Sequence, residues 1–562
     1  MAKTAAKKIR YLIFLFAGMI LSDCANQLPP GGGEVDKIPP KIVETYPGDG
    51  TTNFHDEYIE FTFSEYVDKR TVKDALFISP AIDGDLEMDW SGKSVRIYFP
   101  NPLKDSVTYV VTLGTDVVDY NNKNRMAESY TLTFSTGPEI DMRVISGRIY
   151  DEKPGGTMIF AYKLVADTVN PSKTKPDYIS QTGDNGYYKL AGLASGTYRI
   201  FAVADQYRDL FYQVEQDKIG VPFEDIKLAP GDSLFTGLNF FLTQDDTTSP
   251  RIIKATMTDR NHILVELSET IDSTLISAGN FEVIDSTDRS TFKPLGVFSK
   301  TTGPNQIVVV INTSLKSTDD YYLGANELRD KKGNIYKKDL SGITVSSKSD
   351  TTPPAVIKTI PQEKGKVDFI RPSITFYFDD ALETAIARTG VTLSDTANKK
   401  IGHSLTFIDD ASFIISPMKN LMSAEDYLIK FDLSKFRDAE GNKRDTIYTY
   451  RFSTINEMDF SGASGRVINV QLTDNPLIIL QSADKNGGQI YSQYLKKGST
   501  FEFSRVFPGK YLLWCYLDRD SSRTYNRGNP FPYTPSEDFS FYPDTLNLRA
   551  RWGQMDIKYN FK

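Results

Sequence analysis

One structural plan recurs three times in this chain, and that recurrence limits its fold more than any other feature. The stretches "IPPKIVETYP" at 38, "TTSPRIIKAT" at 247 and "TTPPAVIKTI" at 351 each run from a proline-marked linker into a short extended segment. Proline has no donor to give a central strand, so it marks the edge of each unit. A strand and an acidic turn follow every time: "YIEFTFSEYVD" at 58, "ILVELSETID" at 263 and "SITFYFDDALE" at 373. In the first, Ile59, Phe61 and Phe63 fall on one side and Glu60, Thr62 and Ser64 on the other. This is the two-residue period of a half-buried strand. Each repeat closes on a polar turn and a last strand: "VVDYNNKNRMAESYTLTFST" at 117, "LRDKKGNIYKKDLSGITVSS" at 328 and "FRDAEGNKRDTIYTYRFST" at 436. Asn and Gly suit the tight turns that such hairpins need.

A second repeat lies between and after these. "MRVISGRIYD" at 142 parallels "ASGRVINV" at 463, and "GYYKLAGLASGTYRIFAVADQYRD" at 186 parallels "STFEFSRVFPGKYLLWCYLDRDSS" at 499. The 562 residues exceed what one core holds and divide into five units: 38–139, 140–246, 247–349, 350–456 and 457–562. The expected fold class is all-β, with tandem β-sandwich domains.

Ahead of the first unit, Lys3, Lys7, Lys8 and Arg10 precede an apolar run from Tyr11 to Leu21. That is the layout of a secretory signal, and the run is too short to span a bilayer. It ends at Leu21-Ser22-Asp23-Cys24, followed by the spacer Pro29-Pro30-Gly31-Gly32-Gly33. Residues 1–23 therefore read as a signal peptide and 24–37 as a flexible tether. Loss of the signal removes four bases and one acid, taking the formal charge from −8 to −11. Such a balance argues against nucleic acid as a partner.

These motifs carry family resemblances. Leu21 to Cys24 resembles the lipobox of bacterial lipoproteins, with Asp23 where Gly, Ala or Ser is usual. The resemblance implies acylation of Cys24 and a membrane anchor. The 38, 247 and 350 units resemble SbsA-type bacterial Ig-like domains, through Phe63-Ser64-Glu65-Tyr66-Val67-Asp68 and the "DxxGN" elements at Asp330–Asn334 and Asp438–Asn442. The first unit departs with "DYNNKN". The other two units resemble carboxypeptidase-regulatory, transthyretin-like or CnaB-type sandwiches, through Gly196-Thr197-Tyr198 and Gly509-Lys510-Tyr511. The N-terminal layout resembles outer-membrane lipoproteins of one Gram-negative phylum. Fold does not fix function. The expectation is a non-catalytic, lipid-anchored envelope protein with a rod of sandwiches, on the periplasmic face of the outer membrane, working with an envelope protein partner. The alternative is a glycan- or ligand-binding lipoprotein serving an outer-membrane transport system.

No catalytic constellation emerges, and no cofactor is expected. His55, His262 and His403 lack ligand or nucleophile spacing and read as solvated structural residues. Asp518, Asp520 and Ser522 place oxygens at positions 1, 3 and 5, as a calcium loop does. Arg523 and Asn529, however, stand where that loop needs Gly and Glu. A polar turn is the favoured reading and a calcium site the alternative. The acidic turns Glu65/Asp68, Glu269/Asp272 and Asp379/Asp380 read as helix caps. Trp90, Trp514 and Trp552 read as core or cross-strand residues, and Cys515 as a buried structural thiol.

The resembling phylum attaches O-glycans at Asp-Ser/Thr followed by a small or apolar residue or Thr. This implies candidates at Ser106, Thr168, Ser233, Thr247, Ser273, Ser286, Thr351, Thr396, Thr446 and Thr545. Composition alone gives roughly three such triplets, and turn chemistry accounts for part of the excess.

Overall fold

The computed structural model describes residues 36–561 apart from 81, 83, 166–168, 232–233, 273–274, 317 and 485–487. The signal, most of the tether and Cys24 lie outside the described residues. What is described is all-β, built from packed sheets in tandem. The first unit sets a four-stranded sheet (42–46, 58–63, 94–98, 87–91) on a three-stranded one (76–79, 108–113, 130–135). Ile59, Phe61 and Phe63 fill its core as the alternation requires, while Tyr58, Glu60 and Thr62 face outward. Asp68 ends the acidic turn by accepting from the Arg70 amide at the start of the helix Lys69–Asp74. The expected cap is therefore present there.

The closing turns have a common logic. Asp330 accepts from the Lys332 and Asn334 amides, and the Asn334 side chain donates back to Asp330 and to the carbonyl of Asp246 in the preceding linker. Asp438, Asn442 and Asp350 repeat this arrangement. In the first unit, Asn124 reaches the Asp36 carbonyl in the same way, from a turn one residue longer. The repeated Asp and Asn thus fasten each hairpin to its own linker.

In the second and fifth units, the repeated "SGR" glycines have a steric reason. A Cβ on Gly147 would lie 1.9 Å from the Leu238 carbonyl oxygen, and one on Gly465 would lie 2.1 Å from that of Ile557. In each unit the carbonyl belongs to the segment running parallel to the glycine's strand, 143–150 in one case and 461–468 in the other.

The units do not form an open rod. The third and fourth share a core, because Phe298, Val308 and Val310 pack with Phe376, Phe413 and Phe431. The fourth joins the fifth where the Arg505 guanidinium lies over Phe369 and Phe460 and pairs with Asp368. The fifth then returns to the second. Phe241 stacks on Phe539 at 4.2 Å, Tyr533 covers Arg199, and the Ser536 amide donates to the Pro222 carbonyl. Units two to five therefore close into a ring, and the first attaches to the second through contacts such as Thr115 to the Thr182 carbonyl. The physical reason lies in Trp514 and Tyr516. They stand on the outer face of their sheet, too apolar to be left in water, and bury themselves with Phe539 against Tyr150 and Phe241.

Candidate functional site

The strand Gly509–Leu517 of the fifth unit runs out at Asp518. The chain then makes a long excursion and returns as the strand Phe539–Phe541, which pairs with Trp514–Tyr516. Asp518 is fully buried, and one of its oxygens accepts from the Tyr494 hydroxyl and the Arg523 amide. Glu537, 7% exposed, comes back beside it with one oxygen accepting from the Asn526 amide. Ligand atoms of Asp518, Asp520 and Glu537 all lie within 4.8 Å of one another. Burial, reinforced by the charges of Asp520 and Asp518, pushes Glu537 up to about 7. The donor set is entirely carboxylate, the chemistry of a hard divalent cation.

Of the three residues the sequence offers as the alternative calcium set, Asp518 and Asp520 fall in this group and Ser522 does not. Ser522 turns to its own loop: its hydroxyl donates to the Thr524 carbonyl and its amide to Asp520. The missed member is Glu537, which lies far along the chain where ligand spacing gives no signal.

Two further acidic groups occur at unit junctions. Asp246, Glu269 and Asp330 converge ahead of the third unit, and burial followed by the Asp246 charge pushes Glu269 up to about 7. Asp350 and Asp380 lie with His262 between the third and fourth units. His262 corrects the solvated reading. It is buried because its strand starts at the seam between units, and its ring nitrogens bond Asp259 and Asp380 at 2.8 Å each. Asp380 is thereby committed to His262, and the short helix Thr384–Ala387 follows Glu383 with no side-chain cap. His55 is exposed and His403 half-buried.

Trp514 is buried between the second and fifth units, and Trp90 stacks on Phe63. Trp552 is 76% exposed, so the core reading fails for it. It sits in a tight turn bridged to Arg549 rather than within a strand. Cys515 is fully buried, as expected. A cleft of about 1530 Å³ runs beside the aromatic seam, lined among others by Arg148, Tyr187, Phe241, Trp514 and Arg523. Ser106, Thr247, Ser286, Thr351, Thr396, Thr446 and Thr545 are all exposed; Thr168, Ser233 and Ser273 lie outside the described residues.

Comparison with known proteins places two of the units. Residues 36–136 and 350–454 match the bacterial Ig-like domain family. No curated protein sequence matches the chain. Among solved structures, surface layer protein SbsC, domains 1–6, is 10% identical and is matched over 91% of this chain and 68% of its own, with a TM-score of 0.16. CopC from Methylosinus trichosporium OB3b is 16% identical over 18% of this chain and 94% of its own, at 0.15. The L,D-transpeptidase from Mycobacterium smegmatis is 11% identical over 37% of this chain and 90% of its own, also at 0.15. At such scores these likenesses place neither function nor partner. The protein is thus a tandem β-sandwich chain that contains bacterial Ig-like domains. No described helix is long and apolar enough to cross a membrane.

Proposed function

We propose that this protein is a non-catalytic scaffold of the bacterial cell envelope, anchored by acyl chains on Cys24 and offering its sandwiches as surfaces for an envelope protein partner. The observation that carries the reading is the closed ring of units two to five. Aromatic stacking, a shared core and ion pairs at its seams hold four sandwiches in fixed relation, as a scaffold requires and a flexible string does not provide. The lipobox-like Leu21–Cys24 and the Pro/Gly spacer support the anchor, because several acyl chains hold stably where one does not. We place the protein on the periplasmic face of the outer membrane, since Ala25-Asn26-Gln27-Leu28 carry no charge. The resemblance of the second and fifth units to transthyretin-like or CnaB-type domains belongs to this reading too.

Metabolic labelling with a fatty-acid analogue tests the anchor. Wild type takes up label and Cys24→Ala does not; an unlabelled wild-type chain refutes it. Protease shaving of intact cells tests the face, and rapid loss of the chain overturns the periplasmic placement. O-glycosylation at the exposed Asp-Ser/Thr turns, Thr247 and Thr351 at unit junctions included, predicts an intact mass above that of the lipidated chain. A mass equal to it ends that part.

The cleft beside Trp514 favours a second reading, a glycan-binding lipoprotein serving an outer-membrane transport system. Aromatic faces with guanidinium groups beside them, Arg148 over Tyr187 for example, suit sugar rings and their hydroxyls. Quenching or enhancement of tryptophan fluorescence by envelope oligosaccharides, lost in Arg148→Ala, supports this second reading; no response leaves the scaffold.

A further inference from the structure

Three carboxylates in one place call for neutralisation, and the loop after Asp518 offers none from its neighbours. Among the described residues, no Lys, Arg or His side chain forms an ion pair with Asp518, Asp520 or Glu537, although Arg519 and Arg523 are adjacent in sequence. Arg519 turns to Asp474 and Arg523 lies over the Tyr494 ring. More telling are two oxygens. Oδ1 of the fully buried Asp518 and Oε1 of Glu537 have no hydrogen-bond partner. Buried carboxylate oxygens without donors are costly and rare. The Tyr516 hydroxyl is also buried without a partner, close enough that, after burial itself, the charges of Asp518 and Glu537 raise its pKa.

The second unit serves as an internal control. Its equivalent loop leaves the strand Gly196–Val203 at Asp205 and returns at Asp217. There all four carboxylate oxygens of Asp205 and Asp217, the acids at the two ends of the loop, have backbone donors. Asp205 accepts from the Arg208 and Leu210 amides, and Asp217 accepts from those of Gln206 and Gln213. The same sandwich can therefore satisfy acids in this loop with amides. The fifth unit instead leaves one oxygen of Asp518 and one of Glu537 without a donor and adds a third acid, Asp520, on the exposed side, with ligand atoms of all three within 4.8 Å of one another.

We propose that Asp518, Asp520 and Glu537 bind a hard divalent cation, calcium by their chemistry, and that the ion fastens the 519–538 loop against the second unit. Oxygen ligands alone, on a loop able to adjust, match calcium's flexible coordination. Magnesium demands a tighter octahedron and keeps more of its water. The exposed Asp520 leaves a side on which water completes the shell. The mechanical consequence follows from the loop's other residues. The Tyr525 hydroxyl donates to the Glu537 carbonyl, and Ser536, next to Glu537, donates to Pro222 of the second unit. Tyr533 covers Arg199 from the same loop. Fixing Glu537 therefore fixes the part of the loop that closes the ring.

The test uses the full mature chain stripped with EDTA at neutral pH and titrated with calcium chloride by calorimetry. Binding at this site is expected in the range of extracellular calcium modules, about 10⁻⁴ to 10⁻³ M. It should weaken at least about ten-fold, 1.4 kcal/mol, in Glu537→Gln and Asp518→Asn, and stay unchanged in Glu269→Gln, which alters the separate group near Asp246. If the buried variants do not fold, exposed Asp520→Asn carries the test through the same loss. Calcium should also protect the exposed Arg523 and Arg527 from trypsin in wild type. No calcium binding at millimolar concentration, or binding untouched in folded Asp520→Asn and Glu537→Gln, overturns the site. Binding without tryptic protection overturns the clamp, and magnesium binding as tightly as calcium overturns the choice of ion.

Discussion

Tyr150 of the second unit and Phe541 of the fifth stack with ring centres 4.5 Å apart and planes 22° from parallel. Their contact is one edge of a cluster in which Phe241 touches Tyr150, Trp514, Tyr525, Phe539 and Phe541. Aromatic pairs of this kind contribute about 0.5–1.5 kcal/mol each beyond the area they bury. Phe241 is half-buried, so Phe241→Ala should cost somewhat less than the about 3–5 kcal/mol of a fully buried phenylalanine. That loss falls on ring closure rather than on either sandwich. Small-angle scattering should show a larger particle for Phe241→Ala, with the far-ultraviolet spectrum unchanged. Identical scattering curves for variant and wild type would show that this seam does not hold the ring.

His262 makes the seam between the third and fourth units sensitive to pH. Burial alone lowers its pKa, but hydrogen bonds to Asp259 and Asp380, with their charges, push it up to about 10. In the unfolded chain it titrates at about 6.5. The stabilisation is therefore complete below about 6.5 and declines as pH rises toward 10, at no more than about 1.4 kcal/mol per pH unit. Denaturant titrations across that window should show the decline in wild type and a flatter profile in His262→Gln. A wild-type stability that rises between pH 7 and 10, with the same slope in the variant, contradicts the assignment.

Much of each unit is legible in the sequence. The alternation at Ile59, Phe61 and Phe63 gives their burial, and the Asp–Asn turns mark where each hairpin is tied to its linker. The closing of the ring has a signal too, in the places where alternation stops. Trp514, Cys515, Tyr516 and Leu517 are all buried, as are Met158 to Tyr162. A strand apolar on both faces needs cover on both, and for the Trp514 strand the outer cover is the other unit. What period and spacing cannot supply are pairings across long stretches of chain. His262 gives no hint that its partner Asp380 lies in the next unit, and nothing near Asp518 announces Glu537. Such contacts are set by how whole sandwiches dock, not by any local preference.

The repeated glycines give a sharp steric prediction. Neither Gly147 nor Gly465 has a positive φ, so the backbone itself would accept alanine. The obstacle is a neighbouring carbonyl oxygen at about van der Waals overlap with any Cβ, 1.9 Å for Gly147 and 2.1 Å for Gly465. Gly465→Ala must push the 554–560 strand away, an overpacking cost of about 3 kcal/mol. Gly333→Ala is a useful contrast, because that site has open space but a φ of +95°; its cost is conformational and about 1 kcal/mol. Thermal denaturation should rank Gly465→Ala well below Gly333→Ala. The opposite order would mean that the parallel pairing at 465 is looser than described.

Cys515 reports on the fifth unit alone. It is fully buried between that unit's sheets, among Leu480, Leu513 and Tyr559, and takes no part in the aromatic seam. Burial drives its pKa up, which removes the reactive thiolate as well as access to it. Alkylation in native buffer at pH 8 should therefore be at least about 10³-fold slower than in denaturant, limited by the small unfolded fraction. Opening the ring with Phe241→Ala should leave that rate nearly unchanged, because the seam lies on the outer face of the strand and Cys515 on the inner one. Gly465→Ala, by contrast, loosens the sheet that covers Cys515 and should speed labelling. Rapid stoichiometric alkylation of the native wild-type chain would refute the buried position, and acceleration by Phe241→Ala as large as that by Gly465→Ala would mean that ring and sandwich open together.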